Sequence, residues 1–549
     1  MIKNILLLSL LLAVSNLIAQ TIERGPYLQM KQSSGINIKW RTDVNLDSKV
    51  WFGTSPTSLT NTASNVNIDT DHEVNLTGLQ PSTTYYYAIG SSAGQISGLE
   101  NFHFKTSPTI GSVQAVRTWV IGDFGKGNQQ QIDVMNSYLD YTTGTETDVW
   151  LWMGDNAYQS GEDSQYQDHV FDPYDSIFPF MPFFPTPGNH DYLSMGGYSL
   201  LTPTAYNLHS GAYYDIISVP QNGEIGGYPS GTKAFYSYDY ANIHYVSLNS
   251  EVQNSNSRNT NMEAWLTQDL AQNTQDWTIV YFHQAPYTKG SHDSDSFWEV
   301  FMKGMRKNIL PILDNGNVDL VLCGHSHNYE RSYLMKGHYQ TSSNLQPSMI
   351  LDASSGNPDN GEVYKKYYGT DCTEDYEGIV YAVVGNSGSK TSPGDDKGLN
   401  HPAMYISDAE NAVGSLVLDI HADTLVGTYM RASGQIIDKF EMQRIGSCDT
   451  LNNTSIKETA SNIVVKVFSD YKTGDFKIRF DLLETTPVAI KVLDMNGKIV
   501  YNHNFGDLQQ GTHYHTIQTS TNNIAAGMYN FAIITDKTVV SKRIFKLKL

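Results

Sequence analysis

The sequence predicts a sheet-rich, multidomain chain: a β-sandwich, then an α/β domain, then a second β-sandwich. Three observations carry this expectation. The chain has 549 residues, too many for one ordinary domain, so two to four are expected. Between about 112 and 330, strongly apolar strands alternate with helical stretches, whereas the first segment shows the apolar/polar alternation of half-buried strands. A polar run at 446–461, "GSCDTLNNTSIKETAS", sets the last all-β stretch apart and reads as a linker.

The chain opens on "MIKNILLLSLLLAVSNLIAQ". Lys3 supplies a positive start, Ile5 to Val14 an apolar core and Ala19 a small residue for cleavage. Residues 1–19 are therefore expected to be a secretory signal peptide, since the apolar core is too short for a membrane span. Leu17 is bulky for its position, so the cut site is less defined than the signal. No later segment has the uncharged length of a transmembrane helix, and the mature chain is expected to be soluble and exported. Residues 20–108 form the first β domain, with strands "INIKW", "SKVWFG", "HEVNLTGL" and "TYYYAIGS" between Gly, Pro, Asn and Ser turns. The stretch "LTGLQPSTTYYYAI" resembles the corner of a fibronectin type III sandwich, where a tyrosine ties a loop back.

The α/β domain is expected over 112–445. Its strands are "TWVIGD", "VWLWMGD", "PFFPTPGNHD", "IHYVSLNS", "WTIVYFHQ" and "VDLVLCGHSH". Helices are predicted at 128–141, 262–273 and 296–314, the last with Phe297, Val300, Phe301, Met305, Ile309 and Ile312 on one face. Ligands gather at the carboxyl ends of strands in such sheets. From 378 to 443 the chain returns to β and is expected to complete a second sheet of the same domain. Residues 462–549 form the last β domain.

Formal charge is −20, with 36 Lys and Arg against 56 Asp and Glu. That argues against a nucleic-acid surface, but not against a small anionic substrate where a metal reverses the local field. Cysteines are few: Cys323, Cys372 and Cys448. Cys372 and Cys448 could pair and leave Cys323 free; three unpaired thiols is the equal alternative.

Five short motifs share one placement. They are "GDFG" with Asp123, "GDNAY" with Asp155 and Tyr158, "GNHD" with Asn189 and His190, "FHQAPY" with His283, and "GHSH" with His325 and His327. Four directly follow an apolar strand, and "GNHD" follows "MPFFPTP". Asp, Asp, Tyr, Asn and three His would thus stand along one sheet edge. Oxygen and imidazole donors suit Fe, Mn or Zn. Seven are too many for one tetrahedral zinc and suit two metals sharing a carboxylate. Two metals about 3.5–4 Å apart can clamp the attacking and leaving oxygens of a phosphoryl transfer.

Together the blocks resemble the purple acid phosphatases, within the larger calcineurin-like metallophosphoesterases, over roughly 23–443. The resemblance implies a fibronectin III-like domain followed by a four-layer α/β metallophosphatase sandwich. It implies a dinuclear metal centre. Asp123, Asp155, Tyr158 and His327 would hold Fe(III), and Asp155, Asn189, His283 and His325 would hold Fe(II), Zn or Mn, so that Asp155 bridges. Many relatives outside the purple group carry Asp-x-His in the first block. Here it is Asp123-Phe124-Gly125, and Tyr158 supplies the missing ligand. A phenolate is a hard anionic donor for Fe(III), and that pairing absorbs visible light.

By the same resemblance His190 contacts phosphate, and His292, nine residues after His283, matches a second-sphere histidine. Either imidazole could stabilise the anionic transition state or protonate the leaving alkoxide, with Asp191 and Asp293 orienting the rings. A metal-bound hydroxide would attack phosphorus directly, since no Ser, Cys or Asp stands out as an activated nucleophile. Plainer readings exist for each residue alone. Asp123 and Asp155 could be helix caps, Tyr158 packing, Asn189 a turn residue, His283 a core histidine, and His325 and His327 a surface pair. Chance would not place every expected donor type at successive strand ends in this order. "GNSGSKTSPG" at 385–394 lacks the glycine before Lys390 that a phosphate loop needs and reads as a loop bordering the site.

Residues 462–549 contain "PVAIKVLDMNGKIVYNHNF" and end in "SKRIFKLKL". They resemble the C-terminal sorting domain of type IX secretion, with Phe468-Ser469-Asp470-Tyr471 standing where Pro-Asn-Pro is usual. A generic binding sandwich is the alternative. The expected protein is a secreted or cell-surface acid phosphatase acting on small phosphomonoesters, with the type IX machinery as partner. A phosphodiesterase or nucleotide hydrolase with the same metals, and a non-catalytic surface-binding protein, are the alternatives.

Overall fold

The computed structural model describes residues 20–98, 102–195, 209–256, 258–368, 378–390, 401–408, 412–446, 463–469, 475–482, 484–494, 498–525, 527–537 and 539–546. The expected signal peptide, all but Gly446 of the expected linker, Cys372, Cys448 and residues 391–394 lie outside the described residues. The chain divides into two compact units, Met1–Cys448 and Asp449–Leu549.

The first unit begins with an all-β sandwich. Its strands are Ile22–Gln32, Gly35–Gly53, Asn61–Thr77 and Thr84–Ser91, with the shorter Gly94–Ser97 and His103–Lys105. "INIKW" and "SKVWFG" lie on one 19-residue strand, not two. Irregular pairing at Arg41/Leu46 and Leu46/Ser48 carries that strand through the polar stretch that reads as a turn in sequence. Its first half pairs with Ile22–Gln32 and its second with Thr84–Ser91, which wraps the ladder around Leu28, Ile38, Trp40, Val50 and Tyr87. The Tyr85 hydroxyl accepts from the Gln80 N–H at 3.0 Å, tying back the loop that sequence singled out.

The sandwich is docked onto the α/β domain through buried groups. Tyr27 and Met30 join the larger domain's core. Tyr87 donates its hydroxyl hydrogen to the Pro179 carbonyl at 2.8 Å, and Arg24 and Arg41 both reach Asp163.

The α/β domain has two seven-stranded sheets. We label the strands that lead to the site β1 (Val116–Ile121), β2 (Val149–Trp152), β3 (Phe183–Pro185), β4 (Trp277–Gln284), β5 (Leu320–Gly324) and β6 (Val380–Val384). In one sheet β1, β2 and β3 run parallel, extended antiparallel by Gly414–His421, Thr424–Arg431 and Ile436–Gly446 and closed by Tyr364–Tyr368. In the other, Ile243–Ser247, β4, β5 and β6 run parallel, flanked by Tyr236–Tyr240, Tyr329–Ser332 and Met404–Ser407. The return to β after 378 was expected to build one second sheet. Instead β6 joins β5, and only the strands after 413 join β1.

Alternation along the strands sets the layers. Thr118 bonds Tyr245 across the two sheets at 2.8 Å, and Phe184 stacks on Tyr238 at 3.9 Å, so these residues face inward. The next residue, Trp119, turns outward and stacks on Tyr138 of helix α1 (Gln129–Tyr141). His244 turns outward to Asp269 of helix α2 (Thr260–Gln272) at 2.9 Å. The order is helix, sheet, sheet, helix. A further helical run spans 300–315, shorter at its start than the predicted 296–314, so Phe297 lies outside the helix and is 77% exposed, not buried on its apolar face.

In the second unit Phe476–Leu482 pairs with Ile463–Ser469 and Gly511–Ile517, and Thr486–Asp494 pairs with Ile499–Leu508 and Gly527–Ile534, the latter with Val539–Lys546. Phe476, Ile478, Phe480, Val488, Ile490, Val492 and Phe531 form its core.

Candidate metal centre

Each motif lies just beyond the carboxyl end of a parallel strand, or on its last turn. Asp123 follows β1, Asp155 follows β2, Asn189 follows β3, His283 closes β4, and His325 and His327 follow β5. Three of these residues, Asp123, Asp155 and His325, hold φ of 55°, 51° and 69°. Non-glycine residues rarely adopt this left-handed region, and they cluster there at functional sites. Local bonds hold the turns: the Asp123 N–H reaches the Gly154 carbonyl at 3.2 Å, and the His325 N–H reaches Asp123 Oδ2 at 2.8 Å.

The seven candidate ligands converge in two sets. In the first, the Tyr158 hydroxyl lies 3.0 Å from Asp123 Oδ1, 3.0 Å from Asp155 Oδ2 and 3.3 Å from His327 Nε2. In the second, His283 Nε2 lies 3.2 Å from Asn189 Oδ1, 3.3 Å from Asp155 Oδ1 and 3.1 Å from His325 Nδ1. Asp155 thus turns one carboxylate oxygen to each set. Donors bound at about 2.0–2.2 Å and at right angles to one another stand about 3 Å apart, which is the spacing in both sets.

The chemistry of the donors fits cations in the same places. His283 Nδ1 faces the Met153 carbonyl at 2.9 Å, so a neutral ring donates there and turns its Nε2 lone pair inward. That lone pair then meets the Asn189 oxygen, the Asp155 oxygen and His325 Nδ1, an arrangement that a proton or a metal ion between them reconciles. Without a metal ion, burial disfavours the His283 cation, yet Asp155 and Asp123 pull it up to about 10. Burial and then His292 press His325 down to about 4. Burial, with Asp123 and Asp155 alongside, lifts the Tyr158 phenol well above its usual range. A bound cation inverts that balance.

Gly125 explains why the tyrosine and the first block belong together. A Cβ there would lie 1.7 Å from the Asn156 carbonyl oxygen. The "GDNAY" loop passes against residue 125, and the Tyr158 N–H donates to the Gly125 carbonyl at 2.8 Å. A side chain at 125 and this path of the loop exclude one another.

His190 and His292 stand at the edge of the two sets. The His190 N–H donates to Asp155 Oδ1 at 2.8 Å, and its ring Nδ1 lies 2.7 Å from the Gln159 carbonyl. Nε2 is 3.8 Å from Asp155 Oδ2. Asp191 does not orient this ring. It turns inward to the backbone N–H groups of Gly188 and Asn156 and to the Tyr166 hydroxyl, and burial raises its carboxyl to about 6. Nor does Asp293 orient His292, because Asp293 is taken by Lys289 at 2.5 Å. Glu299 holds the His292 ring instead, at 2.8 Å.

Glu299 and Lys126 are the site neighbours that sequence reading missed. Lys126 Nζ lies 4.0 Å from the centre of the Tyr158 ring, and burial lowers its pKa against the pull of Asp123 and Asp155. It directly follows the first block, next to Gly125. Residues 385–388 of the bordering loop pack on that block: the Ser387 N–H reaches the Gly122 carbonyl at 3.0 Å, and Gly388 accepts from Asn128 at 2.9 Å.

Comparison with known proteins follows the same division of the chain. Residues 116–329 match the family described as calcineurin-like phosphoesterase, and residues 24–106 the purple acid phosphatase N-terminal domain. Residues 472–547 match the secretion system C-terminal sorting domain. Purple acid phosphatase 22 of Arabidopsis thaliana is 27% identical over 266 residues, 47% of this chain and 53% of that protein. Probable inactive purple acid phosphatase 24 of the same plant is 24% identical over 395 residues, 68% and 57% of the two chains. The chain spans little more than half the length of these relatives. The structure of a purple acid phosphatase from yellow lupin (Lupinus luteus) seeds superposes with a TM-score of 0.56 at 18% identity, covering 78% of this chain and 77% of that one. The structure of PhoD gives 0.51 at 12% identity over 76% and 89%. At these identities the likeness is one of fold.

Proposed function

We propose, on the premise that the chain joins a purple acid phosphatase N-terminal domain to a calcineurin-like metallophosphoesterase domain and a sorting domain, that it is an exported dinuclear-metal phosphatase hydrolysing phosphomonoesters. The observation that carries this reading is Asp155, whose two oxygens face separate donor sets at 3.0 and 3.3 Å. Asp123, Tyr158 and His327 would hold one cation with Asp155, the anionic set suiting Fe(III). Asn189, His283 and His325 would hold the other, a divalent ion such as Fe(II), Zn or Mn. When bound, the pair supplies the positive charge that activates water and clamps phosphoryl oxygens.

The chain's own residues do the rest. Lys126, beside Tyr158, adds a cation that favours an anionic phosphoryl group. His190 and His292 each have Nδ1 engaged, by the Gln159 carbonyl and by Glu299, which leaves Nε2 to face substrate. Either ring, carrying a proton on Nε2, would donate to the developing oxyanion, and one would deliver that proton to the leaving alkoxide. Among the described residues no helix is long and apolar enough to cross a membrane. The sorting domain directs the chain to the type IX machinery and so to the cell surface or medium.

A panel of monoesters, diesters and nucleotides, run on metal-analysed protein, tests this reading. Turnover confined to diesters would replace it with a phosphodiesterase, and no turnover at full metal loading with a binding protein. Removing 462–549 is expected to leave hydrolysis intact and abolish export; loss of activity with normal export contradicts the sorting role.

A further inference from the structure

We propose that Glu299 is a positioning residue for two histidines at once. Its carboxylate aims His292 at the substrate cleft and holds His325 in the tautomer that presents Nδ1 to the divalent set. This rests on the reading above, that the set binds metal and His292 serves the leaving group.

Glu299 Oε1 lies 2.8 Å from His292 Nδ1, and Oε2 lies 3.9 Å from His325 Nε2. The two rings sit over one another with centres 4.0 Å apart, so a single carboxylate spans both. A neutral imidazole has one N–H and one lone pair. His325 Nδ1 faces His283 Nε2 at 3.1 Å, within the donor set. A carboxylate oxygen 3.9 Å from its other nitrogen, beyond hydrogen-bond length, favours the proton on Nε2 through its charge and so favours a free Nδ1 lone pair, as ligation requires. The same carboxylate puts a proton on His292 Nδ1 and leaves Nε2 outward, where its side chain is one-third exposed.

The backbone fixes where this carboxylate stands. The Glu299 N–H donates to the Ser296 carbonyl and its own carbonyl accepts from Lys303, both at 3.2 Å, at the entry to the helical run 300–315. The nearby carboxylates are committed elsewhere: Asp293 and Asp295 both bind Lys289, and Asp295 also binds Arg306. Donor atoms of His292, Glu299 and His325 also lie within 4.8 Å of one another. A third cation there is the competing account.

The test compares the full chain with Glu299→Gln and Glu299→Ala. Glutamine keeps the size but has one acceptor oxygen and a donor NH2, so it can serve one ring and not both. Zn2+ affinity, measured by chelator competition, is expected to fall about 10–100-fold in both variants. At metal saturation, kcat should fall at least about tenfold more for an alkyl phosphate, whose leaving alkoxide needs a proton, than for a nitrophenyl phosphate, which does not. Unchanged Zn2+ affinity with equal losses on both esters overturns the proposal. So does a wild type holding three metals per chain that drops to two in Glu299→Gln, because Glu299 is then a ligand. A wild type that binds no metal pair overturns the underlying reading, and the proposal with it.

Discussion

His244 and His283 lie on neighbouring parallel strands, both buried and both beside carboxylates, yet they are built for opposite purposes. His244 sits within its strand, and carboxylates occupy both its nitrogens: Asp239 at 2.7 Å and Asp269 at 2.9 Å. Burial disfavours its charge, but the two partners lift it to about 9, so it is a closed structural ion triad. His283 sits at its strand's end. Its Nδ1 faces a backbone carbonyl, while Nε2 points at an oxygen, a carboxylate and another histidine. Burial beside acid groups therefore does not identify a ligand. A ligand is marked by one nitrogen fixed by the scaffold and the other facing lone pairs that a proton or a metal ion reconciles.

Substitutions can break or sharpen this contrast. Asp155→Ala removes the only group shared by both sets. Steady-state turnover should fall about a thousandfold or more, with both metals lost; near-normal kcat would remove the dinuclear account. His283→Ala should empty the second set alone, taking about one metal per chain and roughly a hundredfold in kcat, and elemental analysis paired with kinetics reads both. Loss of both metals would mean that the sets are not separable. Tyr158→Phe should cost less turnover but bleach the visible band of the oxidised protein. A surviving band would place the chromophore elsewhere.

The smallest effect on turnover belongs to His244. Its folded pKa lies above the ordinary 6.5, so its stabilisation is full below pH 6.5 and is lost as pH rises through about 9. The rise corresponds to about 3 kcal/mol. Denaturant unfolding between pH 6 and 10 should show that fall in the wild type and not in His244→Gln, whose metal content and kcat should stay normal. A His244→Gln variant that loses metal would erase the distinction between the two histidines.

The motif-bearing part of the site was legible because its groups sit within a few residues of apolar strand ends, where strand geometry alone brings them to one edge. Asp123, Asp155 and His325 needed nothing further to be noticed. Glu299 and Lys126 were not legible, since each acts across a loop whose path no periodicity records. Asp191 was misread because adjacency to His190 says nothing of direction; its carboxylate turns inward to Gly188, Asn156 and Tyr166. In the fold, the helix–strand alternation was readable, but two features were hidden. Irregular pairing lets Gly35–Gly53 run through a turn-like sequence, and β6 crosses to the sheet of β4 and β5, a choice of partner that local sequence does not encode.

Metal stoichiometry of the purified full-length protein, by elemental mass spectrometry, tests the central claim most directly. Two metal ions per chain, one of them iron, is the predicted result. One or none after expression in iron- and zinc-replete medium would contradict a dinuclear centre bridged by Asp155.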